Sequence, residues 1–474
     1  MIGRKEEINK LNELYESNKA ELVAVYGRRR VGKTYLIDET FKNCFTFRHA
    51  GLSPFDEEKD HLLGKQLNHF YRSLILYGCK ETEAPKDWYE AFFMLENLLE
   101  KKGKKRLLVF LDELPWLDTP RSNFINAFEG FWNNYACHKD NLMVVVCGSA
   151  TSWIENKLIN NHGGLYNRIT YEMKLSPFSL KECEEYYKSY NVVFTRYDVV
   201  QSYMIFGGIP YYMSCIDRHI SLAQNVDKLF FEKNAKLKFE YDRLFSSMFS
   251  NPETIKKLVE YLSTRNMGYT RKEIIKKLNI SNGGSLTSSL NSLMASDFII
   301  SYVPFGFNKR ETHYKLIDPF CLFYLRFLTK QKKTSENYFE QNITSPSVNT
   351  WRGLAYENVC FNHIKQIKKA LGISGVISNN SAWISKEEDN NVQIDLLIQR
   401  NDNVVDMCEI KFYSGKFKVD KNYYQTILER QTLLTGKLSK KEVVHNVLIT
   451  TFDVDKNQYS NIFNNIITID DLFD

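Results

Sequence analysis

Residues 27–34, Gly27-Arg28-Arg29-Arg30-Val31-Gly32-Lys33-Thr34, set two glycines, a lysine and a hydroxyl at the spacing of a loop that wraps a polyphosphate. Gly27 and Gly32 admit backbone angles that a Cβ forbids, so the successive N–H groups from Arg28 to Val31 can turn inward around an anion. Lys33 would place a point charge on the β- and γ-phosphates, and the Thr34 hydroxyl is a suitable ligand for Mg²⁺. Farther on, an apolar run ends in Asp112-Glu113. Asp112 would hold Mg²⁺ through its water shell, and Glu113 can polarise the water that attacks the γ-phosphate. A second apolar run ends in Gly148-Ser149, where the hydroxyl is placed equally well to sense the γ-phosphate and to cap a helix. Arg168 has the charge to reach the same phosphate, within its chain or from a neighbouring subunit, although an isolated arginine is more often a surface residue.

These groups act together only if secondary structure brings them together. Val23 to Tyr26 is a short apolar run, and Leu36, Ile37 and Phe41 beyond the loop follow helical spacing, which gives strand, loop and helix in order. The helix opening at Lys33–Thr34 aims its positive end at the anion. Leu107 to Leu111 and Leu142 to Cys147 are apolar at every position, the pattern of parallel strands covered on both faces. Such strands present ligand-binding residues at their carboxyl ends. Glu6 to Tyr15 and residues 88–100 read as helices, and residues 44–49 as a further strand.

Downstream the pattern changes. Leu180 to Tyr190 and Val199 to Ile216 are helical around a break at Gly207-Gly208, as in a small helical lid. Ile255 to Leu262, a capped segment opening at Thr270-Arg271-Lys272-Glu273, and Ser285 to Ala295 make three helices, followed by strands Phe298 to Val303 and Thr312 to Ile317. That order is a winged helix. Its third helix offers no Lys or Arg, whereas Arg271, Lys272, Lys276, Lys277, Lys309 and Arg310 could track phosphates; DNA contact and a purely structural or protein-docking role stay open. The polar stretch Lys330 to Asn349 reads as a linker. Beyond it, Glu357 lies on a helical pattern, and Ile394 to Ile398 and Val404 to Phe412 flank a turn as a hairpin. Glu409 and Lys411, two apart on one strand, point to the same face; Asp395 lies near the start of the other.

Ile2-Gly3-Arg4, residues 26–34, Leu111-Asp112-Glu113, Gly148-Ser149, Leu165-Tyr166-Asn167-Arg168, Leu175-Ser176-Pro177-Phe178-Ser179 and Gly207-Gly208-Ile209-Pro210-Tyr211-Tyr212 together resemble the archaeal-type ATPases, P-loop NTPases of the AAA+/STAND group. The family usually has glycine where Asn167 stands. The resemblance implies ATP and Mg²⁺ as cofactors, Ile2 to Arg4 near the adenine, Ser149 as sensor, Arg168 as sensor or finger, and Pro210 in the lid over the base. Glu357, Asp395, Glu409 and Lys411 resemble the PD-(D/E)XK nuclease constellation, in which the acids bind Mg²⁺ and the lysine orients or activates water. The chemistry is sound, since Asp395 and Glu409 as hard ligands would leave positions for water and a phosphate.

The expected architecture is α/β and multidomain: a P-loop ATPase core with a parallel sheet (1–175), a helical lid (176–250), a winged helix (251–330), a linker (331–349) and a C-terminal α/β nuclease-like domain (350–474). The expected function is an ATP-binding, ATP-hydrolysing switch coupled to the winged helix and nuclease-like domain and acting on DNA. The alternatives are a non-nucleolytic ATP-dependent DNA-binding regulator and a protein-binding signalling ATPase. With 474 residues the chain exceeds one core, and 43% hydrophobic and 25% charged residues are those of a folded protein. A net charge of +6 permits nucleic-acid contact without demanding it. Nine singly scattered cysteines with no C-x-x-C pair argue against zinc and disulfides and for the cytoplasm. Neither a membrane span nor a signal-peptide core is expected. Self-association would follow if Arg168 served a neighbouring subunit.

Overall fold

The computed structural model describes residues 2–53, 62–103, 105–160, 163–249, 251–329, 335–384 and 393–474. The chain divides into two compact units, Met1–Pro177 with Arg243–Pro252 and Asn291–Ser296, and Phe178–Asp242 with Glu253–Leu290 and Asp297–Asp474.

In the first unit, strands β1 (Glu21–Tyr26), β2 (Phe47–Ala50), β3 (Leu107–Asp112), β4 (Leu142–Gly148) and β5 (Tyr171–Lys174) form an all-parallel sheet in the order β2-β3-β4-β1-β5. Every residue of β1, β3 and β4 is buried, which is why these segments carry no alternation of apolar and polar residues. An aromatic layer from Phe70, Trp88, Phe92, Phe124, Phe128 and Phe131 belongs to the core of this unit. Asp87 caps the helix Trp88–Glu100 by accepting from Glu90 N–H, so the helix starts where its apolar face begins. Tyr26 stands opposite Gly148 and Leu111 opposite Val146, which ends β1, β4 and β3 on one edge. The phosphate loop, the Asp112-Glu113 pair and Ser149 all leave from that edge.

Gly27 turns the chain out of β1 at φ 141°, and a Cβ there would overlap the Leu175 carbonyl oxygen after β5. Only glycine accepts both conditions.

The second unit opens with helices Leu180–Ser189 and Arg196–Phe206, each started by a capping box, Ser179 with Glu182 and Thr195 with Asp198. Gly207 and Gly208 follow with φ of 67° and 65° and lead into the short helix Pro210–Met213. Farther along the chain come helix Pro252–Leu262, strand β6 (Tyr269–Thr270), helix Arg271–Leu278, helix Gly284–Ala295, whose residues from Asn291 on are counted with the first unit, and strands β7 (Ile299–Tyr302) and β8 (His313–Leu316). The three strands make an antiparallel sheet in the order β6-β8-β7. In the stretch read as a linker, helix Tyr338–Gln341 carries the buried Phe339, and Ser345 caps a helix running Pro346–Asn362; residues 330–334 lie outside the described residues.

The C-terminal sheet has β9 (Ser378–Ile384), β10 (Gln393–Arg400), β11 (Val404–Lys411), β13 (Val443–Thr450) and β15 (Asn465–Ile467), in the order β15-β13-β11-β10-β9. Strands β9, β10 and β11 pair antiparallel, and β11, β13 and β15 pair parallel. β12 (Phe417–Lys418) and β14 (Val454–Asp455) form a separate two-stranded ladder. Ile427 and Leu434 of helix Lys421–Thr435 share a core with Val405 and Met407 of β11 and Leu448 of β13. No helix among the described residues is long and apolar enough to cross a membrane.

Candidate functional site

The loop after β1 closes on Gly32, which caps helix Lys33–Thr40 at φ 90°, with Arg30 at φ 73°. Both are left-handed angles, and such alternation turns backbone N–H groups to one side. Lys33 is only 5% exposed, and its Nζ donates to the carbonyl oxygens of Gly27 at 2.9 Å and Arg28 at 3.0 Å. The Thr34 hydroxyl donates to Asp112 Oδ2 at 2.9 Å, which ties the loop to the tip of β3. A hydroxyl and a carboxylate side by side, next to an enclosed amine, form the donor set that a magnesium–triphosphate complex requires, so the residues fit that group.

Glu113 sits at φ 46°, a left-handed conformation that costs a non-glycine residue roughly 1–2 kcal/mol. Its carboxylate is held by the tip of β4: Ser149 Oγ and Ser149 N–H donate to Glu113 Oε2 at 2.9 and 3.1 Å. Helix Thr151–Ile154 starts after Ala150 without a side-chain cap, so the Ser149 hydroxyl serves Glu113 and caps no helix. A Cβ at Gly148 would come within 2.7 Å of the Pro115 ring, so glycine lets helix Leu114–Leu117 close over that strand end. The structure thus brings together Gly27 to Thr34, Asp112, Glu113 and Ser149. Arg168 is exposed in a turn, and no hydrogen bond or ion pair ties its guanidinium to the described residues. The preceding Asn167 has φ 54°, a region that glycine enters freely and asparagine tolerates. Pro210 belongs to the second unit, where it opens helix Pro210–Met213. At the N-terminus, Arg4 Nη2 donates to the Ser176 carbonyl.

In the second unit, Leu396 pairs with Cys408 across β10 and β11, which sets Asp395 opposite Glu409 on one face of the hairpin. Glu409 is completely buried: Arg430 donates to its Oε1, the Tyr423 hydroxyl to its Oε2 at 3.2 Å, and Lys411 Nζ lies 3.6 Å from that same oxygen. Burial, then Glu409, pushes the Asp395 carboxyl above its usual range. Glu357, on helix Pro346–Asn362, is pushed up to about 8 by burial first and Asp395 second. Among the described residues no three His, Cys, Asp or Glu side chains converge as a preformed cation site. With both Glu409 oxygens engaged by the chain's own donors, the cluster in this arrangement does not fit a divalent cation.

Arg430, Tyr423 and Lys315 belong to this cluster and escaped the sequence reading. The signal for the first two lay in helix Lys421–Thr435, where Tyr423, Ile427, Arg430 and Leu434 recur on one face, and an arginine within an apolar stripe needs a buried acid. Lys315 alternates in step with His313 on β8, and both are buried.

Residues 1–216 match the family described as an ATPase domain predominantly from Archaea. The chain is 25% identical over 437 residues to the uncharacterized protein MJECL04 of Methanocaldococcus jannaschii, covering 91% of this chain and 92% of that protein. The uncharacterized ATP-binding protein MJ0423 of the same organism is 50% identical over 42 residues, 9% of this chain and 71% of that protein. Among solved structures, the Walker-type ATPase PABY2304 of Pyrococcus abyssi is similar over 69% of this chain and 96% of that one, with 19% identity and a TM-score of 0.48. The family match and the loop-bearing parallel sheet agree: over residues 1–216 the chain carries an ATPase domain of the archaeal P-loop type.

Proposed function

We propose that this chain binds ATP with Mg²⁺, hydrolyses it, and uses the nucleotide state as a switch for the segments that follow. The observation that carries the reading is the 2.9 Å bond from Thr34 to Asp112 beside the enclosed Lys33 amine. Lys33 and the loop amides bind the phosphates, and Thr34 and Asp112 hold the cation, which when bound neutralises charge on the β- and γ-phosphates. Glu113 orients the attacking water and accepts its proton, while Ser149 fixes the Glu113 carboxylate and reports on the γ-phosphate. Arg168, exposed, serves the γ-phosphate of its own chain or of an adjoining copy. Pro210 belongs to a lid formed by residues 176–250. The direct test is nucleotide binding and phosphate release: wild type binds and turns over ATP, Lys33→Ala binds it weakly, and Glu113→Gln binds it but turns over slowly. Failure of the wild type to bind ATP would sink the proposal.

We further read residues 251–330 as a winged helix, supported by the order helix, helix, helix, hairpin, and residues 350–474 as nuclease-like, supported by the Glu357-bearing helix beside a mixed sheet. Asp395, Glu409 and Lys411 are its candidate site residues. The enclosure of Glu409 favours a second reading, a DNA-binding regulator that does not cleave. DNA affinity that falls steeply with salt supports either of these, and its absence points to a protein-binding signalling ATPase. Nine cysteines without a disulfide accord with a cytoplasmic setting.

A further inference from the structure

Glu113 keeps a left-handed turn at φ 46°, and a strained conformation persists only where its surroundings over-determine it. Ser149 fixes the carboxylate, whereas the turn itself belongs to the main chain. That main chain is enclosed by the segment leaving β2. Gly51 N–H donates to the Asp112 carbonyl at 3.0 Å, one rung past the last β2–β3 pair. A Cβ at Gly51 would stand 2.9 Å from the Glu113 carbonyl oxygen and 3.1 Å from Trp116 Cβ, so this backbone lies directly on the turn. Within helix Leu114–Leu117, Trp116 N–H donates to that same Glu113 carbonyl at 2.9 Å.

Gln66, on helix Leu62–Leu76 and 1% exposed, spans the two sides. Its Oε1 accepts from Leu52 N–H at 3.0 Å, and its Nε2 donates to the Leu52 carbonyl at 2.8 Å and the Trp116 carbonyl at 2.9 Å. Strand β3 ends at Asp112, so the ladder has no rung for Leu52, and the Gln66 amide pairs with it as a strand residue would. Trp116 lies in a helix of four residues, whose carbonyls lack partners of their own. One acceptor and two donors at a single point are what a carboxamide supplies; a carboxylate or a thioether of the same reach does not.

We propose that Gln66 is a positioning residue for Glu113: it ties the Gly51–Leu52 backbone to helix Leu114–Leu117 and so holds the Glu113 turn between them. These bonds run to Leu52 and Trp116, not to Gly27–Thr34 or Asp112, so losing them loosens the carboxylate and spares nucleotide binding. The inference rests on the reading that Glu113 orients the attacking water.

The test is steady-state ATP hydrolysis and calorimetric ATP binding by the full chain, on wild type, Gln66→Met, Glu113→Gln and the double variant. Methionine matches glutamine in reach and removes the three bonds. Misplacing a catalytic group by about 1 Å costs on the order of 10²-fold in rate. Gln66→Met is therefore expected to lower kcat by about 10- to 100-fold with KM and ATP affinity unchanged. It should add little once Glu113→Gln is present, because it acts through Glu113. Gly51→Ala, whose Cβ would press on the Glu113 carbonyl, should show the same pattern and carries the test if circular dichroism finds Gln66→Met unfolded. A wild-type rate in Gln66→Met, a loss of ATP affinity as large as the loss of kcat, or an equal fall with and without Glu113→Gln would overturn the proposal and leave the role of Glu113 standing. Wild-type turnover by Glu113→Gln would overturn that role and the proposal with it.

Discussion

At the ends of β3 and β4, Asp112 and Glu113 are met by the hydroxyls of Thr34 and Ser149 and by backbone N–H groups. On β10 and β11, Glu409 is met by Lys411 and Arg430, while burial and then Glu409 raise the Asp395 carboxyl opposite it. The neutral partners of the first site are easily exchanged for charged ligands, and among the described residues the nearby Lys33 donates to backbone carbonyls alone. In the second site Glu409 already holds cations drawn from the chain, and removing one partner of a buried ion pair strands the other. Acids alone therefore do not define a site; the partners that hold them decide what it can accept.

The largest effect is expected at Glu113: Glu113→Gln should lower kcat about 10³-fold, some 4 kcal/mol in the barrier, with ATP binding kept. Rapid turnover by that variant would remove Glu113 from the water-orienting role. Arg430→Met should destabilise the second unit by about 3 kcal/mol, because the fully buried Glu409 loses its main partner, and Arg430→Met with Glu409→Gln should recover much of the loss in denaturant unfolding. If the single variant is as stable as wild type, the second site is not held together by charge. Lys33→Ala should weaken ATP about 100-fold, roughly 2.7 kcal/mol, as expected for a lost bond to a charged group.

The smallest effect is a pH slope. Glu357 is raised to about 8, well above its unfolded value, so the folded state keeps a proton that the unfolded chain has released. Its contribution to stability is whole at low pH and is lost as pH rises through about 8. Buried His363, lowered to about 4, is neutral in both states above its ordinary range and adds no slope there. Stability should therefore fall between neutral pH and mildly basic pH, and Glu357→Gln should flatten the decline; an unchanged slope would count against the environment assigned to Glu357.

The first site was legible because its information is local. Two glycines, a lysine and a threonine fix a loop, and continuous apolar runs ending in polar residues fix strand tips. The Ser149 hydroxyl was ambiguous, since choosing between a helix cap and Glu113 requires knowing that β4 lies beside β3. The second site was only half legible. The hairpin could be read from alternation and its turn, which placed Asp395, Glu409 and Lys411 correctly on β10 and β11. The partners arrive from far along the chain, Asn266 from the turn before β6 to Glu357 and Arg430 from a later helix to Glu409, and no spacing rule links them. The stretch after Lys330 misleads for the same reason: polar composition reads as a linker, whereas Phe339 is buried and its N–H donates to Asp227 Oδ1 at 2.7 Å, 112 residues away.

The bond from Thr34 to Asp112 marks the proposed cradle of a magnesium–triphosphate complex. Calorimetric titration of ATP into wild type and Asp112→Asn, each with and without Mg²⁺, tests it directly. Wild type should bind ATP more tightly when Mg²⁺ is present, and Asp112→Asn should lose that difference. An equal Mg²⁺ dependence in the two proteins would contradict the account.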